Sequence, residues 1–225
     1  MHSATCQELV GNGKTGRETI EVAMRLIFLL FALLASPLRA DVGAIAETAR
    51  ASFAQMPMVR EVDQIAGNCG ADDTVNPVAA YCTTSNEILL ARDSADSPEA
   101  TYVVAHLFGH AVQVRHGVAD FALSQIRARR SEEQMLRGLV ERQVDCIAGF
   151  LLQRAGVPQP DLTTWYDVDP LEGPHWGRNP LARGPVVNVP VAERNAWLAI
   201  GYGGDLSACA PGEFGSDLLV AALRS

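Results

Sequence analysis

Apolar residues recur at roughly helical spacing through Val42, Ile45, Ala49 and Phe53 and stop before Pro57, which predicts a helix over residues 42–56. The pattern then shortens. Ala79-Ala80-Tyr81-Cys82 and Glu87-Ile88-Leu89-Leu90 flank the polar run Thr83-Thr84-Ser85-Asn86, which predicts two short strands joined by a turn. Asp96-Ser97-Pro98-Glu99 has the form of a helix start, with proline tolerated in the first turn.

Two long helices follow. The first is predicted from about Glu99 to His116, ending at Gly117; Val103, Val104, His106, Leu107, His110 and Val114 make it apolar on more than one side. The second is predicted from about Ser131 to Ala155, ending at Gly156 with Pro158 beyond. Ser131 followed by Gln134 resembles a capping box, and Glu132 and Glu133 suit a helix N-terminus. Residues 156–190 are rich in proline and glycine and read as a long ordered loop packed by Trp165 and Trp176. A last helix, VAERNAWLAIGY, carries Arg194 and Trp197 and leads to Gly204-Asp205 and Cys209. The expected fold class is α+β and mainly helical, with a small β element.

The leading segment changes the picture. Met24–Ala40, MRLIFLLFALLASPLRA, has one early positive charge, a short apolar run, a proline and a small residue before Asp41. That is the grammar of a secretory signal peptide, and the run falls short of the ~20 residues that span a bilayer. Residues 24–40 are therefore expected to be a leader, residues 1–23 an extension without a fold of its own, and residues 41–225 a single domain in the periplasm or outside the cell. A membrane association is expected only if the leader stays uncleaved as an anchor. Setting aside Cys6 leaves Cys69, Cys82, Cys146 and Cys209, an even set suited to a disulfide-permissive compartment. Four cysteines allow three pairings, and four buried thiols are the alternative to any of them.

Charge excludes one broad class. The 225 residues carry a formal charge of -8, with no basic stripe to meet phosphates, so nucleic acid is not an expected partner. Arg127, Arg129 and Arg130 form the one positive cluster, and acidic residues follow it at once; it reads as a solvated helix face.

The candidate chemistry lies on the two long helices. Positions i and i+4 stack on one helix face, so His106 and His110 can direct two imidazoles at one metal ion. A structural histidine pair on an apolar helix is the alternative. Glu141 and Asp145 repeat the same spacing on the second helix. A hydrolytic zinc site takes three protein ligands, of which Glu141 would be the third, and leaves a fourth position for water; Asp145 would accept the remaining N–H of a ligand histidine. The opposing reading is a pair of solvated carboxylates, against which Val140, Val144 and Ile147 argue for burial.

Together these blocks resemble the bacterial neutral zinc metallopeptidases, whose core reads H-E-F-G-H-H-V-Q. The chain has His106-Leu107-Phe108-Gly109-His110-Ala111-Val112-Gln113. The family's E-x-Q-A-D-C-x-A-G is similar to Glu141-Arg142-Gln143-Val144-Asp145-Cys146-Ile147-Ala148-Gly149. Cys69-Gly70 and Tyr81-Cys82 before Glu87–Leu90 resemble its early block, and Arg194, Trp197, Gly204-Asp205 and Cys209 its last. The resemblance implies a zincin-like fold with an active-site helix and a Glu-bearing helix. It implies a Zn2+ cofactor on His106, His110 and Glu141, with Asp145 behind them. It also implies disulfides Cys69–Cys82 and Cys146–Cys209, and Glu87–Leu90 as the sheet edge along which an extended substrate adds as a strand. His175 is matched to a His-Gly before the family's last arginine.

The departure is at Leu107. In H-E-x-x-H hydrolases the glutamate is not a ligand; it takes a proton from the attacking water and returns it to the leaving amine. Leucine does neither, and loss of a general base costs about 10²–10⁴ in rate. Ala111 replaces a further family histidine. The expected function is an exported, metal-containing protein impaired in peptidase catalysis, which binds a peptide or protein ligand. One alternative is an active peptidase drawing its base from Asp72, Asp73, Glu87 or Asp205. The other is a metal-free, disulfide-stabilised domain.

Overall fold

The structure, a computed structural model, describes residues 37–173 and 184–224. The expected extension 1–23, most of the expected leader, His175 and Trp176 lie outside the described residues. Pro37–Ser225 forms one compact unit.

Helix α1 spans Pro37–Ser52, starting and ending some four to five residues earlier than the apolar pattern predicts. Its stripe is as expected: Ile45, Ala49 and Phe53 are fully buried. Gln55, with φ of 59°, turns the chain before Pro57. The next segment is a strand the sequence reading does not contain. Strands β1 (Met58–Val62), β2 (Ala79–Cys82) and β3 (Glu87–Ala91) form a sheet in the order β1-β3-β2, so the two predicted strands are joined by a third. β1 runs parallel to β3, with Arg60 opposite Leu89; β2 runs antiparallel to it, with Tyr81 opposite Ile88. The Thr83–Asn86 turn closes the hairpin with Asn86 at φ 56°, a left-handed position that asparagine tolerates. Its side-chain oxygen accepts bonds from the Tyr81 hydroxyl and Arg115 Nε, both at 3.0 Å.

This order corrects one expectation. Glu87–Leu90 is the central strand, hydrogen-bonded on both sides, and the edges belong to β1 and β2, of which β2 lines a cavity that His106 and His110 also line.

Helix α2 (Pro98–Arg115) starts as predicted: Ser97 Oγ accepts from the Ala100 amide at 3.2 Å, and Pro98 occupies the first turn. Gly117, at φ 81°, stops it, but the chain resumes at once as α3 (Val118–Ala128), a helix the sequence reading omits. After a 3-10 turn at Arg130–Glu132, α4 runs Glu133–Arg154. The expected capping box does not form; α4 has no side-chain cap, and Glu133 instead bonds Arg137 at 2.6 Å. Of the basic cluster, Arg127 and Arg130 are exposed, while Arg129 is tied to Glu213 near the C-terminus. Short helix α5 (Leu162–Trp165) interrupts the long loop, with Leu162 buried and Trp165, 37 % exposed, set edge-on against the Tyr166 ring. Helix α6 covers Val191–Tyr202, and α7 covers Asp217–Ala222.

The arrangement that positions the site is the stacking of α2, α4 and α6, with α4 between its two neighbours. Three glycines set the spacing. A Cβ at Gly109 of α2 would sit 2.7 Å from the Val144 carbonyl of α4. At Gly149 of α4 it would lie 2.0 Å from the Leu198 carbonyl of α6, and at Gly201 of α6 only 1.7 Å from the Cys146 carbonyl. These backbones touch where no side chain fits. The disulfide Cys146–Cys209 covalently links α4 to the segment after α6, and Cys69–Cys82 links the loop before β2 to that strand's end.

Candidate metal centre

Each side chain of the predicted cluster is delivered by the stacked helices. α2 contributes His106 and His110 from successive turns, and α4 contributes Glu141 and Asp145 from successive turns facing them. The two Nε2 atoms of the histidines lie 3.1 Å apart. Glu141 Oε2 is 3.4 Å from His106 Nε2, and its Oε1 is 3.5 Å from His110 Nε2. A tetrahedral ion with bonds of ~2.0–2.1 Å separates its donors by about 3.3 Å. The two nitrogens lie near that spacing, the Glu141 carboxylate reaches one with each oxygen, and one donor atom from each residue falls within 4.8 Å of the others, close enough to share an ion. The geometry fits a metal ion held by His106, His110 and Glu141.

Asp145 stands behind this face. Its Oδ1 lies 2.8 Å from His106 Nδ1 and accepts from the Tyr102 hydroxyl at 2.9 Å. With Nδ1 donating to Asp145, the lone pair of His106 is on Nε2, where it points at the other donors. The other carboxylate oxygen accepts from Arg194 Nη1 at 2.9 Å. Arg194 is fully buried and also grips Asp169 through Nε at 2.7 Å and Nη2 at 3.0 Å, while its Nη1 reaches Glu141 at 3.3 Å.

The charge balance of this buried group is the second indication of a cation. Three buried carboxylates, Glu141, Asp145 and Asp169, face one guanidinium, which leaves two negative charges when both histidines are neutral. Charge of that size out of water is costly unless compensated, and a divalent ion compensates it.

The same surroundings set protonation. Burial pushes His110 down to about 4, an effect that the carboxylate of Glu141 only partly opposes, so its ring nitrogen is free to ligate at neutral pH. Burial also disfavours charge on His106, but the hydrogen bond and charge of Asp145, with Glu141 behind them, prevail and raise it. Burial opposes ionisation of Glu141, yet the neighbouring His110, His106 and Arg194 hold it well below the usual carboxylate range.

In front of the cluster lies a cavity of about 440 Å³, walled by the β2 edge, the Cys69–Cys82 disulfide, Leu107 and Leu123, and the loop residues Leu171 and Val187. His106, His110 and Glu141 line it, so the metal face opens into it. Leu107 stands on the same wall.

No family model, no curated protein and no solved structure matches the chain.

Of the four carboxylates considered as substitute bases, Asp73 lines the cavity. Glu87 of β3 pairs with Arg60 of β1, Asp205 caps the turn at Ser207, and Asp72 bonds Thr74. Glu172, which also lines the cavity and bonds Asn188 at 2.7 Å, is a carboxylate the sequence reading passed over. It also missed Tyr102 and Asp169. Tyr102 is one turn before His106 on the same helix face, a spacing that could have revealed it. Asp169 sits in an aperiodic loop that offers no such signal.

Proposed function

We propose that the chain is a zincin-like, exported metal-binding protein of the neutral zinc metallopeptidase type, impaired in hydrolysis and serving as a binding or regulatory module for an extended peptide. The observation that carries this reading is the convergence of His106, His110 and Glu141 within a buried group whose three carboxylates share one guanidinium. Two nitrogen donors and one carboxylate suit zinc better than magnesium or calcium, which prefer oxygen. Two disulfides are consistent with an oxidising compartment, and no helix among the described residues is long and apolar enough to cross a membrane.

A bound zinc ion supplies Lewis acidity toward a carbonyl oxygen. The chain's own residues do the rest. Asp145 orients the His106 ring, and Arg194 holds Asp145 and Glu141 in place. β2 offers an edge along the cavity where a peptide in extended form can add a strand. Leu107 gives that peptide an apolar contact where a peptidase has its proton carrier, so the peptide is held without being cut.

Two measurements test this. The purified full chain should hold about one zinc per molecule, lost in Glu141→Ala; a chain that takes up no zinc after reconstitution with its disulfides intact overturns the reading. Leu107→Glu should then raise cleavage of unstructured casein by about 10²-fold or more. Chelator-sensitive cleavage by the wild type, abolished by His110→Ala, would instead establish an active peptidase, with Asp73 and Glu172 as the carboxylates on the cavity wall to replace first.

A further inference from the structure

Asp169 links two parts of the molecule that the sequence keeps apart. Toward the metal face, its carboxylate takes both Nε and Nη2 of Arg194, whose Nη1 serves Asp145 and Glu141. Toward the cavity, the same two oxygens accept backbone amides. Oδ1 accepts from Leu171 at 2.9 Å, and Oδ2 from Val189 at 2.8 Å. Leu171 lines the cavity, as does Val187, two residues before Val189 and bridged to Gly173. A single fully buried side chain thus fastens both strands of the cavity's loop wall to the arginine behind the donor set.

The arginine is shared. Its Nη1 lies between Glu141 and Asp145, and its other two nitrogens serve Asp169, so three carboxylates draw on one positive charge. A cation on Glu141 takes over that carboxylate's charge and leaves Arg194 to Asp145 and Asp169. Hydrogen bonds between charged partners strengthen as competing charge is removed from a low-dielectric site. We infer that Asp169 is a positioning residue that couples metal occupancy to the cavity wall, so that binding zinc tightens the wall and a ligand that braces the wall tightens zinc. The second half follows from the first by reciprocity. This inference rests on the proposal that His106, His110 and Glu141 hold zinc.

Hydrogen exchange of the full chain, disulfides intact, with zinc and with chelator, reads the coupling at the two amides that Asp169 accepts. Zinc should slow exchange at Leu171 and Val189, and Asp169→Asn should remove that zinc dependence while weakening zinc binding by about tenfold, as outer partners of metal ligands do. Unchanged exchange at these amides in a wild type that binds zinc overturns the coupling and leaves the metal site standing. A wild type that binds no zinc overturns both. If Asp169→Asn does not fold, Arg194→Lys, which keeps the charge but loses the paired grip on Asp169, should show the same two losses; zinc-dependent protection undiminished in that variant refutes the role given to Asp169.

Discussion

The stacked helices and the cavity wall meet at the same three donor atoms, yet they are built by opposite means. Between α2, α4 and α6 there is no slack. Glycines bring the backbones into contact, and the charged groups on the metal side are buried and partnered. The wall opposite is an edge strand, a disulfide-closed loop and a loop pair joined at Gly173 and Val187, with Asp73 and Glu172 exposed. A metal site needs donors fixed to a few tenths of an ångström, whereas a peptide site needs a surface that accepts different side chains. The difference teaches that rigidity is concentrated where the ion would sit.

The sharpest way to break this contrast is to force the helices apart. Gly201→Val places its Cβ against the Cys146 carbonyl at 1.7 Å, where only backbone can yield. It should cost more than the ~1–3 kcal/mol of ordinary overpacking and lower the melting temperature by at least about 6 °C, with zinc binding lost. A well-folded Gly201→Val chain with full zinc content would show that the seam is not what spaces the donors. The disulfides offer a graded comparison. Cys146 and Cys209 are 63 residues apart, Cys69 and Cys82 only 13. Loop-closure entropy then assigns about 4 kcal/mol to the first and about 3 kcal/mol to the second. Replacing Cys146 and Cys209 with serine should reduce both denaturant midpoint and zinc content, whereas replacing Cys69 and Cys82 should lower the midpoint alone. Equal loss of zinc in both pairs would erase the distinction between helices and wall.

The smallest effect sharpens the electrostatics. His106 is raised and His110 lowered to about 4, so on acidification a proton competes first for His106, beginning above its ordinary 6.5. Zinc affinity should therefore fall with falling pH by about tenfold per unit from near neutrality down to about pH 4, and more steeply below it. Competition titrations with a chromophoric chelator at several pH values measure that slope. A slope near two already at pH 6 would mean that both histidines are protonated together, and that burial does not separate them.

What could be read from the sequence divides along the same line. His106, His110, Glu141 and Asp145 announce themselves because a helix repeats every 3.6 residues, and i,i+4 pairs survive as a pattern in one dimension. The hairpin was legible through its polar turn. β1 was not, because a parallel partner 29 positions away leaves no turn between the two strands. Without β1, β3 reads as an edge strand. Helix α3 was hidden by Gly117, a true stop signal followed by an immediate restart. Arg194 stood out in the last helix, but its partner Asp169 belongs to a loop whose order comes from the very bonds it makes. No local propensity encodes such a residue.

The bond between Cys146 and Cys209 has a consequence beyond chain entropy. It begins one residue after Asp145 and closes a covalent ring that contains Leu162, Asp169 and Arg194. If Asp169 lets go of Arg194, it remains tethered on both sides to the partners it has left. Asp169 and Arg194 belong to one chain, so recapture is intramolecular in any case. The ring narrows the space the two can explore while apart and so raises the effective concentration at which they meet again.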